Sequence, residues 1–291
     1  MGVVSQAVWG SVVTGALYGL VGVGFVLLFR ASKVLSFCQG GFMLLGAFLF
    51  YDLVKNQDMG FFPATAITVV LVALFSAFVY IVVFARVAAR EPFATSVATI
   101  GLAGVLQAVV AVRYGTSPLA LPDVVMSKSF HVAGATITFA DIVSVSIMVV
   151  VVGAILLIIS KTQLGLQMNA VADNPALSVH LGVSAARVAT IAWGLAGLTA
   201  AFAGIAFALR ANVDPVGVAN IGFFAFPAII LGGLDSVPGA LFGGFVLGGL
   251  QNAVAASLGA DWIDLIVFSV MLGFLLFRPT GLFGKAEVVR L

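Results

Sequence analysis

Apolar runs of membrane-spanning length alternate along this chain with short clusters of charge, proline and polar residues. The runs fall near 8–29, 35–54, 62–85, 92–112, 140–160, 188–209, 219–233, 237–256 and 263–277. A helix needs roughly 20 apolar residues to cross a bilayer, so the pattern predicts nine crossings, with eight to ten as the working range. The seventh and ninth runs are the shortest, which predicts tilted, broken or re-entrant helices there. The expected fold class is all-α: a polytopic membrane protein forming a single transmembrane domain over 1–291.

The exception to this pattern is the polar stretch Lys161 to Arg187, KTQLGLQMNAVADNPALSVHLGVSAAR. A connection between two spans needs only a few residues, and one this long with helical signals is expected to fold against something. Asp173 or Asn174 can cap a helix, Pro175 suits its first position and Gly182 can stop it. One short helix over 173–182 is therefore predicted, with Ala176 and Leu177 on its small apolar face, inside a loop at 161–187. A second polar segment, 113–139, contains SFHVAGATITF, whose alternation about Ala133-Gly134 resembles a small hairpin.

Basic residues set the orientation, because loops that stay in the cytosol keep Lys and Arg. With the N-terminus outside, Arg30, Lys33, Arg86, Arg90, Lys161, Arg187, Arg278, Lys285 and Arg290 face the cytosol, against Lys55, Arg113, Lys128 and Arg210 outside. This bias predicts N-out and C-in, with the 161–187 loop in the cytosol. No basic segment precedes the first apolar run, so the start reads as a retained span and not a signal peptide.

Composition narrows the chemistry. The chain is 62% hydrophobic and 8% charged over 291 residues, with a net charge of +2. So weak and dispersed a positive charge does not point to nucleic acid. The lone cysteine, Cys38, excludes an internal disulfide and reads as a small buried side chain. There is no His-Glu-x-x-His, no phosphate loop and no metal-binding pattern, and both histidines fall in loops. A charge at mid-span would mark a proton path, but Asp52, Asp141, Asp261 and Asp264 lie at predicted outer ends. No catalytic residue and no metal site are expected.

Glycine occurs 33 times, often at helical spacing. Gly15 and Gly19 share a face with Ser11, while Gly239/Gly243 and Gly244/Gly248 stand four apart in the eighth run. Such faces allow close helix approach, either within one subunit or at a subunit contact. The few polar residues inside spans include Ser36, Gln39 and Gln107. The run Ser36-Phe37-Cys38-Gln39-Gly40-Gly41 interrupts an apolar helix near its cytosolic end, and half-helix termini of that kind can line a pathway. Ser36, Gln39 and Gln107 are thus candidate pathway residues, with interhelical hydrogen bonding as the other use of these amides.

Four segments, LSFCQGGFMLLGAF at 35–48, NAVADNPALSVHLGVSAARV at 169–188, LGGLDSVPGALFGG at 231–244 and FRPTGLFG at 277–284, together resemble the permease family of branched-chain amino-acid ABC importers, the shorter (LivH-like) of its two permease types. The resemblance implies a subunit that is no enzyme itself. It pairs with a second, longer permease, is driven by two ATP-binding subunits that carry ATP and Mg, and is fed by a periplasmic or lipid-anchored binding protein at a bacterial inner membrane. The family's coupling segment maps onto Gly165 to Gly182. The chain departs from the family where Ser36, Cys38 and Gln39 replace the common Asn, Ala and His, and where Asn169 replaces a common Arg. The implied solute is a branched-chain amino acid or a related amide, urea or carboxylate. The competing expectation is a stand-alone secondary carrier or channel.

Overall fold

The computed structural model describes residues 2–88, 92–121, 128–132, 134–278 and 280–284. Its helices are α1 Gly2–Ser32, α2 Gln39–Lys55, α3 Phe61–Val79, α4 Ala85–Ala88, α5 Pro92–Tyr114, α6 Phe139–Lys161, α7 Gln163–Asp173, α8 Pro175–His180, α9 Ala185–Ala208, α10 Pro215–Gly232, α11 Val237–Ser257 and α12 Ile263–Phe277. A π-helical turn, Tyr80–Phe84, joins α3 to α4. Strands β1 Ser129–Val132 and β2 Ala135–Thr138 pair antiparallel, with His131 opposite Thr136, so the 129–138 alternation does fold as a hairpin; Ala133 lies outside the described residues.

Eight helical segments among the described residues are long and apolar enough to cross a membrane. The expected second crossing is α2, which at 17 residues falls below that length. The expectation of a short seventh run is corrected: α10 begins at Pro215 and has 18 residues, because Asp214 caps it and proline opens its first turn. Local chemistry sets other starts as well. Thr138 and Asp141 form a reciprocal capping box on α6, Ser184 accepts from Arg187 N to start α9, and Ser236 accepts from Gly239 N to start α11.

The same packing plan occurs twice, with the chain running in opposite directions. Helix α1 packs on α11 as α3 packs on α9, α2 lies against α9 as α10 lies against α1, and α5 flanks α2 as α12 flanks α10. Both α2 and α10 follow a six-residue non-helical segment, 33–38 and 209–214. Inverted repeats with broken helices at their centre are a plan found in solute transporters.

Close packing without large side chains joins the repeats. Side chains added at Gly244 or Gly248 would strike the backbone of Gly19 and Gly15, and at Gly239 or Gly243 the carbonyls of Gly232 and Ala228. All six predicted packing glycines are therefore used inside this one chain. Trp193 anchors the core, stacked on Phe84 at 4.7 Å between centroids and meeting Phe42 edge-on.

Candidate solute pathway and coupling surface

The 161–187 segment forms two helices where the sequence predicted one. Thr162, in extended conformation, ends α6 and starts α7 at once, and Gly165 in the first turn of α7 lies so close to α6 that any Cβ would strike the Ile159 carbonyl. Helix α7 buries Met168 and Val171, and Arg30 at the end of α1 donates to Asn169 Oδ1. An arginine at 169 would set like charges together here, a physical reason for the departure from the family pattern.

The Asn174 side chain accepts from Leu177 N at 2.9 Å and starts α8. Its end follows the Schellman pattern: Gly182 at φ 78° donates to Val179 O and Val183 donates to Ser178 O. Ser178 faces inward, while Leu177, Val179 and Leu181 are 55%, 62% and 72% exposed. Asp173, Asn174 and Gly182 are exposed too, and the side chains of Pro175 and Ala176 lie outside the described residues.

At the same end the C-terminal motif seats on its partner motif. Leu282 and Phe283 donate to the carbonyls of Leu231 and Gly232, both at 3.0 Å, satisfying the end of α10. Gly233 at φ 108° and Gly281 at φ 82° approach so closely that neither tolerates a side chain.

At the opposite end, Arg210 Nε donates to Asp141 Oδ1 at 2.6 Å and Trp9 Nε1 reaches Asp141 Oδ2 at 3.4 Å. Gln6 Oε1 accepts from Thr136 N and fastens the hairpin to α1. His131 is exposed on that hairpin.

Between the two ends lies the broken start of α2. After Ser32 the chain turns back without helix, and the Gln39 side chain at the start of α2 reaches Gly24, eight residues (about 12 Å of helix) before the end of α1. The interruption at 36–41 is therefore well inside the bundle. Gln39 is fully buried: its Nε2 donates to Ala196 O at 2.9 Å and to Thr199 Oγ1 at 3.3 Å, and its Oε1 has no partner. Ser36 is buried with its Oγ 3.0 Å from Cys38 Sγ, and Phe37 N donates to Thr99 Oγ1 at 2.9 Å. Cys38 stands at the N-cap in helical geometry, φ −79° and ψ 0°, and caps nothing.

Helix α10 covers this turn, since a Cβ at Gly40 would lie 2.9 Å from Ala219 O and 3.2 Å from Gly222 Cα. Gln107, half-buried, sits seven residues before the end of α5 and donates to Pro215 O at 3.2 Å, so α10 too begins inside the bundle. The structure brings Ser36 and Gln39 into one junction and leaves Gln107 beside the start of α10. Sequence reasoning missed Asp214, Thr99, Thr199, Gly24 and Gly222, all of which contribute to these junctions. Asp214 gave a usable signal, standing just before a proline and an apolar run. No group of three or more His, Cys, Asp or Glu that could hold a metal occurs among the described residues.

The family model described as branched-chain amino acid transport system / permease component matches residues 8–276. The chain belongs to this family. It is 24% identical to the high-affinity branched-chain amino acid transport system permease protein BraD of Pseudomonas aeruginosa, over 94% of each chain. It is also 24% identical to the corresponding protein LivH of Escherichia coli, over 97% of this chain and 96% of that one. A shorter match, 34% over 126 residues, covers 40% of this chain and 37% of the autoinducer 2 import system permease protein LsrC of Klebsiella pneumoniae. No solved structure matches. The chain is thus a multi-pass membrane protein of a transport permease family, and its relatives are transport components and not enzymes.

Proposed function

We propose that the chain is the shorter permease subunit of an ATP-driven importer, paired with a longer permease as a heterodimer in a bacterial inner membrane. It carries a branched-chain amino acid or a related small polar solute. The observation that carries this reading is α8, a short helix capped at both ends that turns Leu177, Val179 and Leu181 outward at the end opposite the hairpin. Apolar side chains held in that way fit a cleft on another protein. Two ATP-binding subunits, holding ATP and Mg, take α8 in such clefts, and their closure moves α7 and α8. A periplasmic or lipid-anchored binding protein delivers solute at the hairpin end. The basic bias supports N-out and C-in.

Leu177→Glu tests the reading, because a carboxylate buried unpaired in a cleft is strongly disfavoured. The expected result is loss of ATPase co-purification and of ATP-driven uptake in proteoliposomes, with normal membrane insertion. Wild-type uptake by this variant, or uptake with no ATPase present, would put the stand-alone carrier in its place. In a background lacking Cys38, a cysteine at Leu181 is expected to resist an impermeant thiol reagent applied from outside; rapid labelling would reverse the orientation.

A further inference from the structure

Helix α2 is buried along one length of the bundle except for a single open stripe. From Gln39 to Val54 every residue is buried but Leu45, Leu49 and Asp52, which share one helix face at spacings of four and three. Helices α3 and α5 both pack on α2 yet barely meet each other, so this stripe is the floor of a cleft of about 200 Å³. Leu71 and Phe75 of α3 form one wall, Val110 and Tyr114 of α5 the other, above Leu45 and Leu49. Leu71 is 48% exposed, so the mouth opens sideways between two membrane-crossing helices. The hairpin end of the cleft is closed. Tyr114 lies against Phe48 at 5.2 Å between centroids, and its hydroxyl donates to Asp52, which also accepts from Asn56. The Arg113 guanidinium sits over the Tyr114 ring, 5.3 Å from its centroid, and forms no ion pair among the described residues.

We infer that this cleft binds a phospholipid, with one acyl chain lying between α3 and α5 and the lipid phosphate on Arg113. Size and depth select the chain. A single turn of a partner helix, about 10 Å across and 5 Å tall, already exceeds the cleft's volume. Pockets that hold a whole small molecule start at roughly 300 Å³, whereas apolar space of about 150 Å³ takes up a benzene-sized guest. A length of lipid tail fits, with its remainder outside, and it restores the dispersion contacts that an empty apolar cleft forgoes. Charge selects the head. The stripe rises about 10 Å from Leu45 to Asp52 and ends beside Arg113, at the end of α5 where a lipid headgroup lies. Asp52 is taken up by Tyr114 and Asn56, which leaves the Arg113 fork for a phosphate. The site requires only that the chain sits in a bilayer, so it stands apart from the transport reading.

The test is photolabelling of the assembled membrane complex in proteoliposomes by a phosphatidylcholine carrying a diazirine along one acyl chain, with the labelled peptides mapped. Val149 and Val150, 59% and 68% exposed on α6, report lipid that merely surrounds the protein. Wild type is expected to carry several times more label on the cleft residues than on α6. Leu71→Trp plugs the mouth from an exposed position and is expected to bring cleft label down to the α6 level. Arg113→Gln, at a probe fraction that does not saturate wild type, is expected to lower the cleft-to-α6 ratio about tenfold, the loss of a charge-assisted hydrogen bond. A diacylglycerol with the same chain and no phosphate is expected to label wild type and Arg113→Gln alike. Each value is a ratio within one molecule, so a variant that inserts poorly does not mimic it. Equal label on cleft and α6 in wild type, or undiminished cleft label in Leu71→Trp, overturns the acyl site. Cleft label missing from wild type while α6 is labelled overturns it too, because another subunit then covers the mouth. Equal phosphatidylcholine ratios in wild type and Arg113→Gln overturn the phosphate contact.

Discussion

Helices α2 and α10 occupy equivalent places in the two inverted halves, yet their first turns are built differently. Asp214 is extended, φ −133° and ψ 151°, and accepts from Val216 N at 3.2 Å and Gly217 N at 2.7 Å, with Pro215 removing a further donor. Cys38, at the same position before α2, is helical and caps nothing, and the turn it precedes begins Gln-Gly-Gly. One start is locally complete. The other has no side-chain cap and relies on packing from α1, α5, α9 and α10. Where a fold repeats its plan, the copy that breaks a local rule is the place to look for function.

The largest expected effect on this comparison comes from Gly222→Val. A side chain there collides with the backbone of Gly40, so α10 is held off α2 and the closed junction cannot form. Overpacking of this kind costs about 1–3 kcal/mol or more, and both a lower thermal midpoint and loss of uptake are expected. A variant with wild-type midpoint and uptake would show that the two helices need not meet.

Asp214→Ala comes next. It strips the cap from α10, leaves the Val216 and Gly217 amides unpaired, and is expected to destabilise the chain by about 1–2 kcal/mol in a denaturant titration. An unchanged titration would remove the contrast between the two starts.

The smallest effect is expected from Cys38→Ser. Serine is a good capping residue in extended geometry, but position 38 is helical, so the hydroxyl cannot reach the amides from there. The expected change in stability is within about 0.5 kcal/mol. A clear stabilisation would mean that residue type, and not backbone geometry, leaves α2 uncapped.

Several of these features are legible in the sequence, each for a local reason. Helix α8 announces itself by Asn174, Pro175 and Gly182, and the hairpin by its alternation about Ala133-Gly134. Helix α7 escapes notice because its inward residues, Met168 and Val171, are sparse among polar neighbours and make sense only once Arg30 and α1 are beside them. The Gln39 amide reads in the sequence as an interhelical hydrogen bond first and a pathway group second, and only the structure shows its nitrogen on Ala196 and its oxygen without a partner. Asp214, just before a proline and an apolar run, carries a cap signal, but nothing along the chain reveals that the start of α10 lies level with Gln107.

By itself the sequence determined what depends on neighbours along the chain: the membrane as solvent, the succession of spans, the caps of α6 and α8 to α11, and the motifs that mark the family. These follow from hydropathy and from hydrogen bonds between residues two to four apart. Only the tertiary structure decided which glycine meets which, how far inside the bundle α2 and α10 begin, and which buried polar atoms go unpaired. Those outcomes depend on contacts such as Gly40 with Gly222 and Gln39 with Ala196, more than 150 residues apart, where no local pattern records the partner.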